Sequence, residues 1–187
     1  MSPDTVGNTF TMTFELKVFD NFLSQKHFQE LVEYIDNCAW HYNSMIVYDK
    51  SNTNPEDKDY VGPDTPNEYQ MVMPIWSQGW VYERYVAELF STYLEPRAWV
   101  RIKANFSPKR IEIIENDLHI DTNHGDLTAI FYINSNDGYS HFKSGKRVES
   151  VANRIVIFPR DTMHSGTTST TDHRKVINFN YFGSMAE

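Results

Sequence analysis

The feature that most constrains the fold is a run of short apolar segments in the second half of the chain. From residue 99 onward, segments rich in Val, Ile, Phe and Tyr alternate with Asn, Asp, Gly and Ser. The segments predicted to be strands are Trp99–Phe106, Ile111–Ile114, Leu118–Asp121, Leu127–Asn134, Arg147–Val151, Arg154–Pro159 and Lys175–Phe182. Many short strands separated by turn residues are typical of a sandwich, jelly roll or barrel.

The first half of the chain predicts fewer and longer elements. A strand is expected near Phe14–Phe19, and Ser24 is a suitable N-cap for a helix whose apolar residues recur at helical spacing. Trp40–Tyr48 has the composition of a strand, and Trp80–Tyr93 has the pattern of a second helix. Asp49–Glu68 is rich in Asp, Asn and Pro and predicts a long loop, either a functional lid or a disordered insertion.

A length of 187 residues corresponds to about one domain. We therefore predict a single domain over residues 1–187, in the mainly β (α+β) class. Residues 1–97 would form a helical support and loop region, and residues 98–187 the β-core. The composition, 40% hydrophobic and 22% charged, is that of a soluble globular protein.

Charge and composition argue against several classes of partner. The formal net charge of -8 repels phosphate backbones, so no nucleic acid is expected as a partner. The single cysteine, Cys38, excludes an internal disulfide and is predicted to be a small buried residue. No apolar run reaches the length of a membrane span, and Met1–Thr13 is polar, so we expect a cytoplasmic protein without a signal peptide.

His119-Ile120-Asp121 is the triplet that first points to chemistry. In a strand, alternate side chains share a face, so the histidine and the carboxylate would project together. A facial metal site needs a third ligand, and His164, after the apolar strand Arg154–Pro159, is the best candidate.

A second triplet, His124-Gly125-Asp126, has the same spacing but is a weaker candidate. Gly125 is a poor strand residue, and Asp126 directly adjoins the strand that starts at Leu127, which leaves no room for a turn. We therefore assign the metal to His119, Asp121 and His164.

Arg174 is a candidate for binding an anion. It precedes Val176, Asn178 and Asn180 on one face of the last predicted strand. An arginine that points into a barrel mouth is costly unless an anion meets it, and a dicarboxylate would match its planar guanidinium. Lys175, on the opposite face, is expected to point to solvent or to pack through its stem.

The order of these pieces resembles the prolyl-4-hydroxylase-like branch of the 2-oxoglutarate/Fe(II) oxygenases. The matching segments are His119–Asp121, Thr128–Asn134, Asn153–Phe158, His164–Gly166 and Arg174–Tyr181, with Arg174 ten residues after His164. The specific match covers roughly Val100 to Phe182. The whole chain also resembles small phage and marine-bacterial members, which implies a phage-encoded protein acting in a bacterial host.

The resemblance implies a double-stranded β-helix, a jelly-roll barrel with iron(II) at its mouth. It implies that Tyr132 binds the distal carboxylate of 2-oxoglutarate beside Arg174, and that Thr128 and Ile130 line the pocket. Many relatives carry a tyrosine where this chain has Phe106, so Phe106 is left out of the predicted site.

The implied activity is hydroxylation of a C–H bond, of peptidyl or free proline or of another small molecule or protein residue. Dioxygen is consumed, succinate and carbon dioxide are released, and ascorbate can support turnover. The alternative is a non-catalytic, cupin-like module that binds a metal or a small molecule, because the jelly roll hosts many activities. Such proteins more often have three histidines and a glutamate, and no His-x-His occurs here. The substrate and the oligomeric state are not predicted.

Overall fold

A computed structural model of the chain describes residues 16–43 and 69–184. The helices are α1 (Gln25–Asp36) and α2 (Arg84–Leu94). The strands are β1 (Lys17–Phe19), β2 (His41–Asn43), β3 (Gln70–Ser77), β4 (Trp80–Val81), β5 (Ala98–Ser107), β6 (Leu127–Tyr132), β7 (Tyr139–Phe142), β8 (Arg147–Glu149), β9 (Arg154–Pro159), β10 (His164–Gly166) and β11 (Arg174–Phe182). The predicted class, mainly β with supporting helices, is confirmed.

Two antiparallel sheets form the body of the protein. The larger has the order β1-β9-β6-β11-β5-β3-β2, with β4 paired to β3, and the smaller has the order β10-β7-β8. The central strand β11 pairs with β6 on one side and with β5 on the other. The first 97 residues contribute β1 to β4 to the larger sheet in addition to both helices.

Each face of the larger sheet covers a separate apolar core. Along β6, Ala129 and Phe131 point into a core shared with both helices, including Leu31 and Phe90. The alternate residues of β6 point into the space between the sheets, where the second core contains Ile130, Tyr132, Phe142, Val148, Val156, Phe158 and Val176. This strand is buried on both faces because the helices and the small sheet cover opposite sides.

Three predicted elements differ from the structure by more than one or two residues at their ends. The second helix begins at Arg84, because Trp80 and Val81 instead form β4 after a turn at Gln78 and Gly79, both with positive φ. Ile111–Ile114 and Leu118–Asp121 are not regular strands. The chain there makes only two isolated bridges, Glu115 to Thr167 and His119 to His164.

The prediction for Cys38 is wrong, and of the two alternatives predicted for Lys175 the solvent-facing one is wrong. Cys38 is only half-buried. Lys175 does not point to solvent: it is buried and forms an ion pair with Asp36 at the end of α1. The predicted loop Asp49–Glu68 lies outside the described residues, as does most of Trp40–Tyr48.

Within residues 16–43 and 69–184, no helix is long and apolar enough to cross a membrane.

Candidate active site

The structure brings His119, Asp121 and His164 together. Two backbone hydrogen bonds join the histidines: the N–H of His119 donates to the carbonyl of His164 over 2.9 Å, and the reverse bond is 3.1 Å. One ligand atom from each of the three residues lies within 4.8 Å of the others. The bridge between residues 119 and 164, rather than a regular strand, therefore fixes the spacing of the triad.

The hydrogen bonds of the two histidines suit metal ligands. Nδ1 of His119 lies 3.1 Å from the carbonyl oxygen of Asp117, and Nδ1 of His164 lies 2.9 Å from that of Thr162. Because a carbonyl can only accept, each Nδ1 carries the proton and each Nε2 is left with its lone pair toward the centre of the triad. Nε2 of His164 is buried and has no hydrogen-bond partner among the described residues. A divalent transition metal fits this donor set.

Asp121 is supported from the β5 and β11 side. The guanidinium of Arg101 lies 3.1 Å from Oδ1, and the amide of Asn180 donates to Oδ2 over 3.3 Å. Burial opposes ionisation of Asp121, but the protonated form of His119, whose Nε2 lies 3.6 Å from Oδ1, and the charge of Arg101 hold its pKa well below its usual range. The carboxylate is therefore ionised and ready to bind a cation.

The pKa values of the two histidines are shifted in opposite directions. Burial opposes the charged form of His119, yet Asp121 raises the pKa of this residue above its ordinary value. Burial lowers the pKa of His164, which Asp121 only partly offsets. His164 is therefore the more readily available neutral ligand, whereas His119 keeps a proton more firmly and a metal would have to displace it.

Arg174 is buried between the sheets with its donors turned toward the same cavity. Its Nε donates to Oγ of Ser150 over 2.9 Å, and one terminal nitrogen donates to Oγ of Ser140 over 3.1 Å. No carboxylate in the described part of the chain pairs with it. A Cβ on Gly166 would lie 3.0 Å from the guanidinium, so the glycine leaves room beside it. Burial lowers the pKa of Arg174, and an anion would offset that cost.

The other predicted residues, Ile130, Tyr132 and Thr128, lie in three different positions relative to the cavity. Ile130 lines the cavity. Tyr132 is fully buried, and its hydroxyl donates to Ser140 over 2.8 Å, the same oxygen that Arg174 contacts. Thr128 lies behind Asp121, where its hydroxyl oxygen accepts from Asn180 over 3.1 Å.

One cavity borders the triad and Arg174, and its walls are mostly polar. Of the predicted residues, His119, Asp121, Ile130, His164 and Arg174 line it and Thr128 and Tyr132 do not; its other lining residues are Gln70, Lys103, Asn105, Ser107, Asn116, Ser140, Ser165, Gly166, Thr167, Val176 and Asn178. The contribution of β5 to the cavity was not predicted from the sequence. A signal was present, because residues 101, 103, 105 and 107 are polar at alternate positions of one strand.

The second triplet has other partners. Asp126 pairs with Arg97 over 2.7 Å and accepts from the backbone N–H of Gly183, while His124 is exposed. Phe106 stacks on His173 with ring centroids 5.0 Å apart.

Comparison with known proteins identifies the fold. No protein-family model and no curated protein sequence matches the chain. Among solved structures, an oxidoreductase of the 2OG-Fe(II) oxygenase family from Burkholderia pseudomallei is similar with a TM-score of 0.60 at 8% identity, over 89% of this chain and 85% of that one. A prolyl hydroxylase from Trichoplax adhaerens, in complex with a peptide fragment, gives 0.56 at 12% identity, over 91% and 84%.

A third similar structure holds ligands. HygX from Streptomyces hygroscopicus, with nickel and 2-oxoglutarate bound, gives a TM-score of 0.57 at 10% identity, over 92% of this chain and 84% of that one. At such low identity, these likenesses establish the fold. The chain has the jelly-roll fold of the 2-oxoglutarate/Fe(II) oxygenases, as the sequence predicted.

Proposed function

We propose that the protein is an Fe(II)- and 2-oxoglutarate-dependent oxygenase that hydroxylates a C–H bond and releases succinate and carbon dioxide. The observation that carries the proposal is the pairing of two unmet requirements in one cavity. Among the described residues, Nε2 of His164 is buried without a hydrogen-bond partner, and the guanidinium of Arg174 is buried without an anion. A metal ion satisfies the first and a dicarboxylate satisfies the second.

Each candidate residue has a role in this proposal. His119, Asp121 and His164 hold the iron, and Arg174 binds the distal carboxylate of 2-oxoglutarate. When bound, iron(II) and 2-oxoglutarate supply the reaction with dioxygen that oxidises the substrate.

The remaining candidates support those ligands. Tyr132 acts with Ser140 to orient the guanidinium of Arg174, because the Tyr132 hydroxyl and the Arg174 guanidinium both donate to the Ser140 hydroxyl oxygen. Thr128 holds Asn180 against Asp121, and Ile130 forms an apolar wall.

We propose proline, free or in a peptide, as the first substrate to test. The prolyl hydroxylase of Trichoplax adhaerens, solved with a peptide fragment, supports this choice. HygX, which shares the fold equally well, has been solved with hygromycin B. The fold is therefore compatible with peptide and small-molecule ligands, and the choice lies in the cavity walls.

The experiment measures succinate formed by purified protein supplied with iron(II), 2-oxoglutarate and ascorbate. His119→Ala should abolish succinate, and His124→Ala, the matched change in the second triplet, should not. Arg174→Met should raise the KM for 2-oxoglutarate by about tenfold or more, because one charge-assisted contact is lost. Arg97→Met, which removes an exposed arginine, is its control.

Binding is measured separately from turnover. The anaerobic iron(II) protein should develop a metal-to-ligand charge-transfer absorbance with 2-oxoglutarate, and His119→Ala should lack it. If wild-type protein shows neither the absorbance nor succinate, the oxygenase proposal fails and a cupin-like binding module becomes the better account.

A further inference from the structure

Lys103 is a cation in the cavity that forms no ion pair with the described residues, although the negative charge of Asp121 acts on it over a longer distance. Its side chain lines the same cavity as the metal triad and Arg174. In the described residues it makes no hydrogen bond and no ion pair, whereas its neighbour on the same face, Arg101, is paired with Asp121. Lys103 is half-buried. A half-buried ammonium group without an ion pair is costly, so its position indicates an anionic ligand.

Asn105 provides a second, independent observation. It lies two residues from Lys103 on β5, and therefore on the same face of the strand. It is only 9% exposed, and its amide oxygen has no hydrogen-bond partner among the described residues. The amide oxygen of Asn178, whose Cα is opposite that of Lys103 in the β5–β11 pairing, is likewise buried and unpartnered. Both buried oxygens lack a hydrogen-bond donor, and a ligand with N–H or O–H groups would supply it.

This inference rests on the function proposed above. In that function, neither carboxylate of the cosubstrate 2-oxoglutarate pairs with Lys103. Arg174 would hold one carboxylate of 2-oxoglutarate, and the metal bound by His119, Asp121 and His164 would hold the other. The charge of Asp121 is met by the metal and by Arg101. The ammonium of Lys103 is left for a third anion, which the substrate must bring.

We propose that Lys103 binds a carboxylate of the primary substrate, while Asn105 and Asn178 accept hydrogen bonds from its amino group. This arrangement selects a free α-amino acid, in which a carboxylate and an N–H donor are attached to the same carbon. Free proline satisfies it, and proline inside a peptide chain does not, because its carboxyl group is an amide. Lys103 is then a specificity residue of the oxygenase.

The first test compares free amino acids with their carboxamides. L-Proline, L-leucine, L-lysine and L-glutamate are each paired with the corresponding α-amide, and stimulation of succinate formation over the substrate-free rate is measured. At least one free amino acid should stimulate turnover about tenfold more than its amide, the effect expected from one charged hydrogen bond. Equal stimulation by acids and amides, or stimulation by no free amino acid, overturns the proposal.

Variants of Lys103 connect the preference to this residue. Lys103→Met should remove the preference for the acid, and Lys103→Arg, which keeps the charge, should retain most of it. Lys109→Met removes an exposed lysine close to Lys103 in sequence and should leave the preference for the acid unchanged. The charge-transfer absorbance with 2-oxoglutarate should be normal in all three variants, which shows that they fold and hold the cosubstrate.

A readout without turnover uses protein loaded with nickel(II) and 2-oxoglutarate. The preferred amino acid should raise the melting temperature of wild-type protein, its amide should not, and Lys103→Met should lose the shift. Chelation of nickel by free amino acids is the same for every variant and cancels in the comparison. If Lys103→Met instead weakens 2-oxoglutarate binding about tenfold and leaves the acid preference intact, Lys103 is a cosubstrate residue and the proposal is wrong. Absence of the charge-transfer band from wild-type protein refutes the oxygenase function itself, which is a different outcome.

Discussion

Asn180 is predicted to control metal affinity without touching the metal. It is fully buried on β11, donates to Oδ2 of Asp121 over 3.3 Å and to the Thr128 hydroxyl over 3.1 Å, and accepts from Nε of Arg101 over 3.2 Å. Asn180→Leu keeps the volume of the side chain and removes all three contacts. The carboxylate of Asp121 then keeps Arg101 and a long contact of 3.5 Å with Asn178.

The magnitude follows from the contact to the carboxylate. A hydrogen bond to a charged group contributes about 1.5–3 kcal/mol, and the length of 3.3 Å places this one at the lower end. About 1.5 kcal/mol corresponds to roughly tenfold in affinity, within the 10–100-fold range typical of residues that orient metal ligands. Thr128→Val removes only the contact behind Asn180 and should cost less, about twofold to fourfold.

The assay is an anaerobic titration with iron(II) at saturating 2-oxoglutarate, followed by the charge-transfer absorbance. We expect the metal Kd to rise about tenfold for Asn180→Leu, while the 2-oxoglutarate Kd at saturating iron stays within about threefold. The melting temperature of the metal-free variant separates this effect from general unfolding. A metal Kd within about threefold of the wild-type value, or an equal loss of affinity for both ligands, would refute the reasoning.

Two further predictions concern stability. Asn153 has φ 62°, and its amide bonds to both the N–H and the carbonyl of Leu23, over 2.9 and 2.8 Å. Asn153→Ala should lower the free energy of unfolding in urea by about 2–4 kcal/mol, and Asn153→Gly by less because glycine tolerates positive φ; a loss under about 1 kcal/mol for Ala would contradict this. Hydrogen bonds from Ser169 and, to a smaller extent, from Thr170 hold the pKa of Asp137 well below its usual range. The resulting stabilisation is present above the unfolded-state pKa and is lost as pH falls through the folded-state pKa. The melting temperature of Asp137→Asn should therefore be below that of wild type at pH 7 and should approach it below about pH 4. A difference in melting temperature that does not depend on pH would contradict this.

Elements with strong local signals could be predicted from the sequence. Arg154–Pro159 was predicted with the bounds that the structure has, because it is a short, continuous apolar run between turn residues. Ser24 was predicted as the N-cap of α1, and its hydroxyl accepts from the backbone N–H of His27 over 3.3 Å. Both features depend on residues within a few positions of one another.

Elements that depend on distant partners were missed. Strands β7 and β10 are short and polar, and they exist because they pair with each other across more than twenty residues. Strand β3 contains Pro74, which hides its pattern and lies at an irregularity of its pairing with β5. The prediction of a strand at Leu118–Asp121 failed for the converse reason: the composition is that of a strand, but only His119 finds a bridging partner.

For Lys175, the predicted face of the strand is correct, but its burial was not predicted. The sequence placed it opposite Arg174, and the structure agrees, since Lys175 contacts α1 while Arg174 points into the cavity. Burial was not predicted, because a buried lysine needs an anionic partner, and Asp36 is 139 residues away in sequence. The nature of a side chain's neighbours is a non-local property even where its direction is a local one.

The surroundings of the polar cavity wall also depend on distant parts of the chain, and here they bear directly on what the cavity binds. On β5, the polar positions 101, 103, 105 and 107 alternate with Ile102 and Ala104, which are fully buried. Read alone, this alternation is typical of a strand with one solvent-exposed face. Once the small sheet covers that face, the same residues become an enclosed row of charges and amides. Because enclosed polar groups require partners, Lys103 and Asn105 change from ordinary surface residues into determinants of what the cavity binds.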